Sequence, residues 1–267
     1  MWNDTLLLNR LTRALLAIAL VLVAWGGVKW LAARSEFAFR TIAITNERGE
    51  DLQRVNTTNL AELVLPRLKG TFLNMNLEDA RQAFEGVPWV RRASIRRQWP
   101  NRLVVRLEEH RPLALWGTTE APPTTDAVAL KLVSEEAEVF IAPLAEKRTN
   151  YPTLFGPAGN EREVVRLYRD ASAQLATLQL KPTLVVLSPR LAWSMQLSNG
   201  VTLELGRERE SSTVRERLAR LTATWSQTVA RLARRIDTVD LRYPNGYAVH
   251  IAGFKEWSDR NPVVVPR

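Results

Sequence analysis

The segment that most constrains this chain lies near its start: RLTRALLAIALVLVAWGGVKWLAA. From Ala14 to Val28 it carries no charge, and apolar residues continue past Lys29 through Trp30, Leu31, Ala32 and Ala33. About 20 such residues at a rise of about 1.5 Å each match a hydrocarbon core of about 30 Å. Lys29 suits a snorkelling position, with Trp25 and Trp30 as interfacial anchors. A cleaved signal peptide is the alternative, with Ala33-Arg34-Ser35 as its cleavage site, but Lys29 and Trp30 interrupt the apolar run too far upstream. The expectation is an uncleaved single span at residues 14–33 after a short tail at 1–13. Arg10 and Arg13 before it are balanced by Lys29, Arg34 and Arg40 after it, so the flanking charges leave orientation open. A short leading tail and a large following domain favour a span with its N-terminus inside and its bulk outside.

Beyond the span the chain reads as globular. The 267 residues are 46% hydrophobic and 24% charged, enough for one ordinary core or two small ones. The net charge of +9 is compatible with nucleic acid, an anionic surface or a solvated basic face. The chain has no cysteine, which excludes disulfides, thiol nucleophiles and cysteine-based metal sites.

Local patterning gives an order of elements. FRTIAIT (Phe39 to Thr45) alternates as a short strand closed by Asn46-Glu47-Arg48-Gly49. A helix comes next, capped by Thr57 or Thr58 and carrying Leu60, Leu63, Val64 and Leu68, with Pro66 near its end and Gly70 as its stop. Asn76 caps a second helix with Glu78 and Asp79 in its first turn. Two strands, VRRASIRR and RLVVRLEEH, join at Gln98-Trp99-Pro100-Asn101. Further on, a hairpin turns at Ser134 to Ala137, and Pro152 to Pro157 reads as a turn. A helix runs from about Glu161 to Leu178. Three strands succeed it, one pair joined at Ser198-Asn199-Gly200, a strong hairpin signal. SSTVRERLARLTATWSQTVARLARRIDT places Val214, Leu218, Leu221, Trp225, Val229, Leu232 and Ile236 on one stripe. Opposite lie Arg215, Arg217, Arg220, Arg231, Arg234 and Arg235, expected to face solvent or an acidic partner.

The βααββ order and the run PWVRRASIRRQWPNRLVVRLEEHRPLALW, from Pro88 to Trp116, resemble the POTRA module of the FtsQ family of bacterial cell-division proteins. Pro152 to Pro157, Arg190, Trp193, Asn199-Gly200, Leu205-Gly206-Arg207 and Val239-Asp240-Leu241-Arg242-Tyr243 extend the resemblance over nearly the whole chain after the span. It implies an α+β protein: a single transmembrane helix, a POTRA domain at 37–112, then a mostly antiparallel β domain with covering helices at 113–254. A flexible tail at 255–267 would complete the chain.

No residues point to catalysis. His110 and His250 lack a second ligand or base at useful spacing. The carboxylates at Glu108 and Glu109, and at Glu135, Glu136 and Glu138, read as solvated strand and turn positions rather than a glycosidase pair. No phosphate loop, G-x-S-x-G or H-E-x-x-H is present. The expectation is no enzyme, no cofactor and no metal.

The last patterned segment, DLRYPNGYAVHI from Asp240 to Ile251, carries the expected function. Pro244-Asn245-Gly246 turns the chain into a short strand with Tyr247, Val249 and Ile251 alternating against Ala248 and His250. A terminal edge strand exposes backbone donors and acceptors that a partner strand satisfies. On the residues alone, an edge shielded by its own twist and tail is equally open. The family resemblance implies capture of FtsB, in a complex with FtsL, by strand addition at this edge. It makes Arg242, Tyr243, Asn245, Gly246, Tyr247, Val249 and Ile251 the contact candidates, with Arg190 pairing an acidic partner residue. Other division proteins would dock on the POTRA module, along Val104 to Glu108, and no nucleic acid is expected. Two rival classes are a POTRA-bearing assembly or secretion factor and a membrane-tethered peptidoglycan-binding protein.

Overall fold

A computed structural model of the chain describes residues 5–32, 41–46, 50–118, 130–144, 151–231 and 236–251. The segments 119–129 and 252–267, the latter with the expected tail, lie outside them, as do Leu232, Arg234 and Arg235.

Thr5–Ala32 forms one helix, α1, with a 19-residue stretch from Asn9 to Gly27 that is long and apolar enough to cross a membrane. Its central side chains, Leu15 to Val23 among them, are exposed rather than packed against protein. A helix apolar on all sides with no protein cover needs an apolar solvent. The Lys29 ammonium sits 4.1 Å from the centroid of the Trp25 ring, so the interfacial residues already contact each other along the helix.

Contacts divide the chain into two compact units, Met1–His110 and Arg111–Arg267. In the first, a three-stranded sheet has the order β1-β3-β2, from β1 (Thr41–Asn46), β2 (Val90–Gln98) and β3 (Arg102–Glu109). β1 runs parallel to β3, with Thr41 opposite Arg102, and β2 runs antiparallel to it. Alternation buries Leu103, Val105 and Leu107 completely under α2 (Thr57–Val64) and α3 (Leu77–Glu85), which contribute Leu60, Val64, Ala80 and Phe84.

The α2 cap is Asn56, not Thr57 or Thr58: its side chain accepts from the Thr58 N–H at 2.9 Å. Asparagine reaches the second helical amide from this position as readily as threonine, and it lies one residue earlier. Asn76 caps α3 as expected, and a 3-10 turn at Leu65–Arg67 containing Pro66 ends the first helical segment. The β1–α2 connection is held by one side chain. The Glu109 carboxylate accepts from the backbone N–H groups of Gln53, Arg54 and Val55 at 3.0, 2.7 and 2.8 Å. The run Val104 to Glu108, expected to carry a docking surface, has a defined place in the sheet. It lies in β3, the central strand, hydrogen-bonded on both sides, so it presents a side-chain face and no strand edge.

The second unit is a nine-stranded mixed sheet in the order β12-β11-β10-β9-β8-β7-β4-β5-β6. Its strands are β4 (Pro112–Gly117), β5 (Leu130–Ser134), β6 (Val139–Ala142), β7 (Thr153–Phe155), β8 (Pro182–Leu187), β9 (Ala192–Leu197), β10 (Thr202–Arg207), β11 (Ile236–Asp240) and β12 (Ala248–Ile251). Antiparallel pairings predominate, and β4–β7, β7–β8 and β10–β11 are parallel. Thr153–Phe155, read as turn punctuation, is an interior strand between β4 and β8. Its length of three residues hides the alternation that marks strands, but Leu154 at its centre is fully buried. Helices α4 (Glu161–Leu175) and α5 (Val214–Thr224) cover the sheet, burying Val164, Ala171, Leu175, Val214, Leu218 and Leu221.

The long amphipathic stripe is not one helix. α5 ends at Thr224, a short 3-10 turn spans Val229–Arg231, and Ile236 already belongs to β11. Three threonines explain the break. The hydroxyls of Thr222, Thr224 and Thr228 donate to the carbonyls of Ala219, Arg220 and Thr224, competing with continuation of the helix. Trp225 and Val229 are buried nonetheless, so the stripe holds as a burial pattern across the break.

Candidate functional site

β12 is the end of the nine-stranded sheet. It pairs antiparallel with β11, and among the described residues no strand lies on its other side. The alternation along it is as the sequence implies, with a consequence for the expected contacts. Tyr247, Val249 and Ile251 are partly buried and pack against the core, whereas Ala248 and His250 are exposed. The side chains of Tyr247, Val249 and Ile251 thus lie along the inner margin of the sheet, and those of Ala248 and His250 on its exposed side.

The turn leading into β12 is held from three directions. Arg242 makes a two-pronged pair with Asp240, Nε to Oδ1 at 2.9 Å and Nη2 to Oδ2 at 2.6 Å, and its backbone N–H also donates to Oδ1. The hydrogen bond from the Arg242 guanidinium holds the Asp240 carboxyl below the usual carboxylate range, and the same pair raises Arg242. Arg220 on α5 donates to the Pro244 carbonyl at 2.5 Å and the Tyr243 carbonyl at 3.3 Å. The Tyr247 hydroxyl meets the hydroxyls of Thr224, at 2.9 Å, and Thr228. The turn and the first residue of the edge are therefore tied to the end of α5, and Tyr243 stays 55% exposed beside them.

Beneath this turn is the residue that sequence reading misplaced. Arg217 is 2% exposed rather than on a solvated basic face. Its guanidinium donates to the carbonyls of Leu205, Arg207 and Thr213, the last at 3.3 Å. Burial pulls its pKa down from the ordinary arginine value. It joins α5 to the end of β10, where a bulge at Gly206 (φ +71°) brings backbone so close that a Cβ would lie 2.9 Å from the Arg242 stem. The three-residue spacing that places Arg217 and Arg220 on one flank of α5 was visible; the carbonyls awaiting them were not. The capping box Thr213-x-x-Glu216 was a legible signal for where α5 begins. Arg209, Ser211, Glu216, Arg220, Arg242 and Asn245 surround a shallow cavity of about 200 Å³ at this corner.

Arg190 lies exposed in the β8–β9 turn. β9 begins opposite Arg207, and β11 leaves β10 at Glu204, so this turn shares a sheet end with Arg242 to Asn245. At about 4.8 Å per strand, the three spacings from β9 to β12 separate them laterally by roughly 14 Å. The fold thus brings Arg190 and the turn residues to one end of the sheet. Among the described residues, no group of three or more His, Asp or Glu side chains is placed to hold a metal ion.

Two family models match the chain: the FtsQ-type POTRA domain over residues 39–110 and the C-terminal domain of cell division protein FtsQ/DivIB over residues 125–242. Cell division protein FtsQ of Burkholderia pseudomallei is 42% identical over 259 residues, covering 97% of this chain and 98% of that protein. The chain belongs to the FtsQ family of cell-division proteins. Those of Bordetella pertussis and Nitrosospira multiformis are 34% and 35% identical, covering 94% and 93% of this chain and 93% and 98% of those proteins. The family places the chain in the cell-division machinery, and α1 is consistent with single-pass membrane anchoring in this FtsQ-type architecture. The C-terminal family model ends at Arg242, so β12 falls just beyond it.

Proposed function

We propose that this FtsQ-family chain is a non-catalytic scaffold that captures FtsB, in a complex with FtsL, by adding a strand of FtsB to β12. In this reading α1 anchors the chain in the inner membrane with residues 1–13 inside. The two folded units lie outside at the division site, where they help assemble and regulate septal peptidoglycan synthesis. Other division proteins engage the POTRA face. The observation that carries the proposal is the terminal strand itself: a sheet edge four residues long, unpaired on one side among the described residues, whose turn is fixed by Asp240, Arg220 and Thr224. Fixing an edge before a partner arrives lowers the ordering entropy that association costs. Arg190, Arg242, Tyr243, Asn245, Gly246, Tyr247, Val249 and Ile251 are the contact residues of this proposal, with exposed Ala248 and His250 as outward neighbours.

Photo-crosslinking in living cells tests it, with a photoreactive residue placed singly at Tyr243, Tyr247, Ala248, Val249, His250 and Ile251. The expected result is one small membrane-anchored division protein, captured with a strength that alternates along the strand. Diffuse capture of many envelope proteins, or none, would overturn the edge-strand reading.

A further inference from the structure

The parallel pairing of β1 with β3 sets which end of the first sheet the chain enters after α1. Thr41 opens β1 opposite Arg102, so the β2–β3 turn at Trp99-Pro100-Asn101 lies at the end of the sheet where the chain arrives from α1. Ala32 and Thr41 are nine residues apart, a tether of at most about 30 Å. Trp99 at the tip is 82% exposed, the largest exposure among the large apolar side chains of the described residues. Arg96, Arg97 and Arg102 flank it, all exposed.

A second loop reaches the same end. The Arg97 guanidinium donates to the Met75 carbonyl, tying the loop before α3 to the last turn of β2. That loop is built rather than slack. Gly70 takes φ +109°, Asn74 Oδ1 accepts from the Thr71 N–H at 2.6 Å, and the Met75 N–H donates to the Thr71 carbonyl at 2.9 Å. Its apex presents Leu73, 50% exposed, beside exposed Lys69. The acids nearby are Glu78 and Asp79; Glu78 is bound by Arg81 at 2.9 Å, leaving Lys69, Arg96, Arg97 and Arg102 in excess.

We propose that this end of the first unit is a membrane-contact surface, with Trp99 and Leu73 entering the headgroup region of an anionic bilayer and the surrounding basic residues pairing with lipid phosphates. Tryptophan prefers that interface because one end of its ring system is apolar and the other wet, and each basic residue near an anionic surface adds attraction. The contact would give the unit a second hold on its membrane besides α1. It rests on α1 spanning the bilayer, and the test separates the two.

The chain has no cysteine, so one introduced cysteine carries one label. The full-length chain with Gln98→Cys, keeping Trp99, or with Asp51→Cys beyond the opposite end of β1, is labelled with an environment-sensitive fluorophore. Each is reconstituted into phosphatidylethanolamine/phosphatidylglycerol vesicles containing nitroxide lipid. Co-flotation reads the anchor; quenching reads the tip. The expected result is quenching severalfold stronger at 98 than at 51. Adding Trp99→Ala abolishes the excess, and adding Arg96→Glu with Arg102→Glu, or using phosphatidylcholine alone, reduces it severalfold. Equal quenching at both positions in vesicles that carry the chain would overturn the contact and leave the anchor standing. Undiminished quenching in phosphatidylcholine would overturn the choice of anionic lipid, and failure to co-float would remove the anchor and the inference together.

Discussion

Each folded unit is held at a critical joint by one charged side chain that gathers three backbone groups, and the two devices are opposite in sign. In the first unit the Glu109 carboxylate collects three N–H groups and pins the loop between β1 and α2. In the second the Arg217 guanidinium supplies three carbonyls and pins α5 to β10. They differ in surroundings. The bonds to Glu109 lie at an exposed or half-buried margin, where water can replace a lost acceptor; Arg217 is 2% exposed and its bond to the Leu205 carbonyl is buried, where water replaces it less readily. The same chemistry should therefore cost unequal amounts to remove, because the penalty falls on the groups left behind.

The largest loss should come from Arg217→Met. Stranding buried carbonyls should lower stability by about 3 kcal/mol or more, read as a shift in the urea midpoint of the second unit. The binding proposed at β12 should weaken as well, since α5 also carries Arg220 and Thr224. Glu109→Ala should lower stability by a smaller amount, about 2 kcal/mol, confined to the first unit, with hydrogen exchange rising at Gln53, Arg54 and Val55. Equal losses from the two substitutions would refute the role given to burial.

A third variant carries the contrast to the sheet edge. Tyr247→Phe removes the hydroxyl that meets Thr224 and Thr228 while keeping the ring on the core, and should lower stability by about 1 kcal/mol. Exchange should quicken at β12 before the rest of the sheet. The smallest effect belongs to the Asp240–Arg242 pair. A carboxylate whose pKa is lowered on folding contributes stability that is fully present above its unfolded value of about 3.9 and is lost as pH falls through the lower folded value. Because Arg242 is 60% exposed, the contribution should be at most about 1 kcal/mol. Asp240→Asn should thus fall below the native chain at pH 7, with the gap closing progressively as pH falls below about 4; a constant gap would remove the ion pair as its source.

Particular residues show how far the sequence could be read. The apolar run, the Asn76 cap and the Asn199-Gly200 hairpin were legible because each is a local signal within a few residues. The last strand was legible for a related reason, as a Pro-Asn-Gly turn followed by alternation; whether its outer side was covered was not. Thr153–Phe155 was not, because three residues cannot show a period and its place between β4 and β8 depends on strands far apart in the chain. The fate of Arg217 was misread because a helical stripe reports which side is apolar and says nothing about polar groups waiting beneath one of its margins.

The long apolar helix, the α+β order and the last patterned strand were present in local spacing and composition, and the family in the motifs from Pro88 to Trp116 and Val239 to Tyr243 that resemble it. The packed fold was needed to show that Tyr247, Val249 and Ile251 face the core while Ala248 and His250 face out. It was needed equally to set Arg190 at the same sheet end as the Arg242 turn, and Trp99 at the end of its sheet where β1 begins. These depend on strand order and register, which are set by burial among residues far apart in the chain.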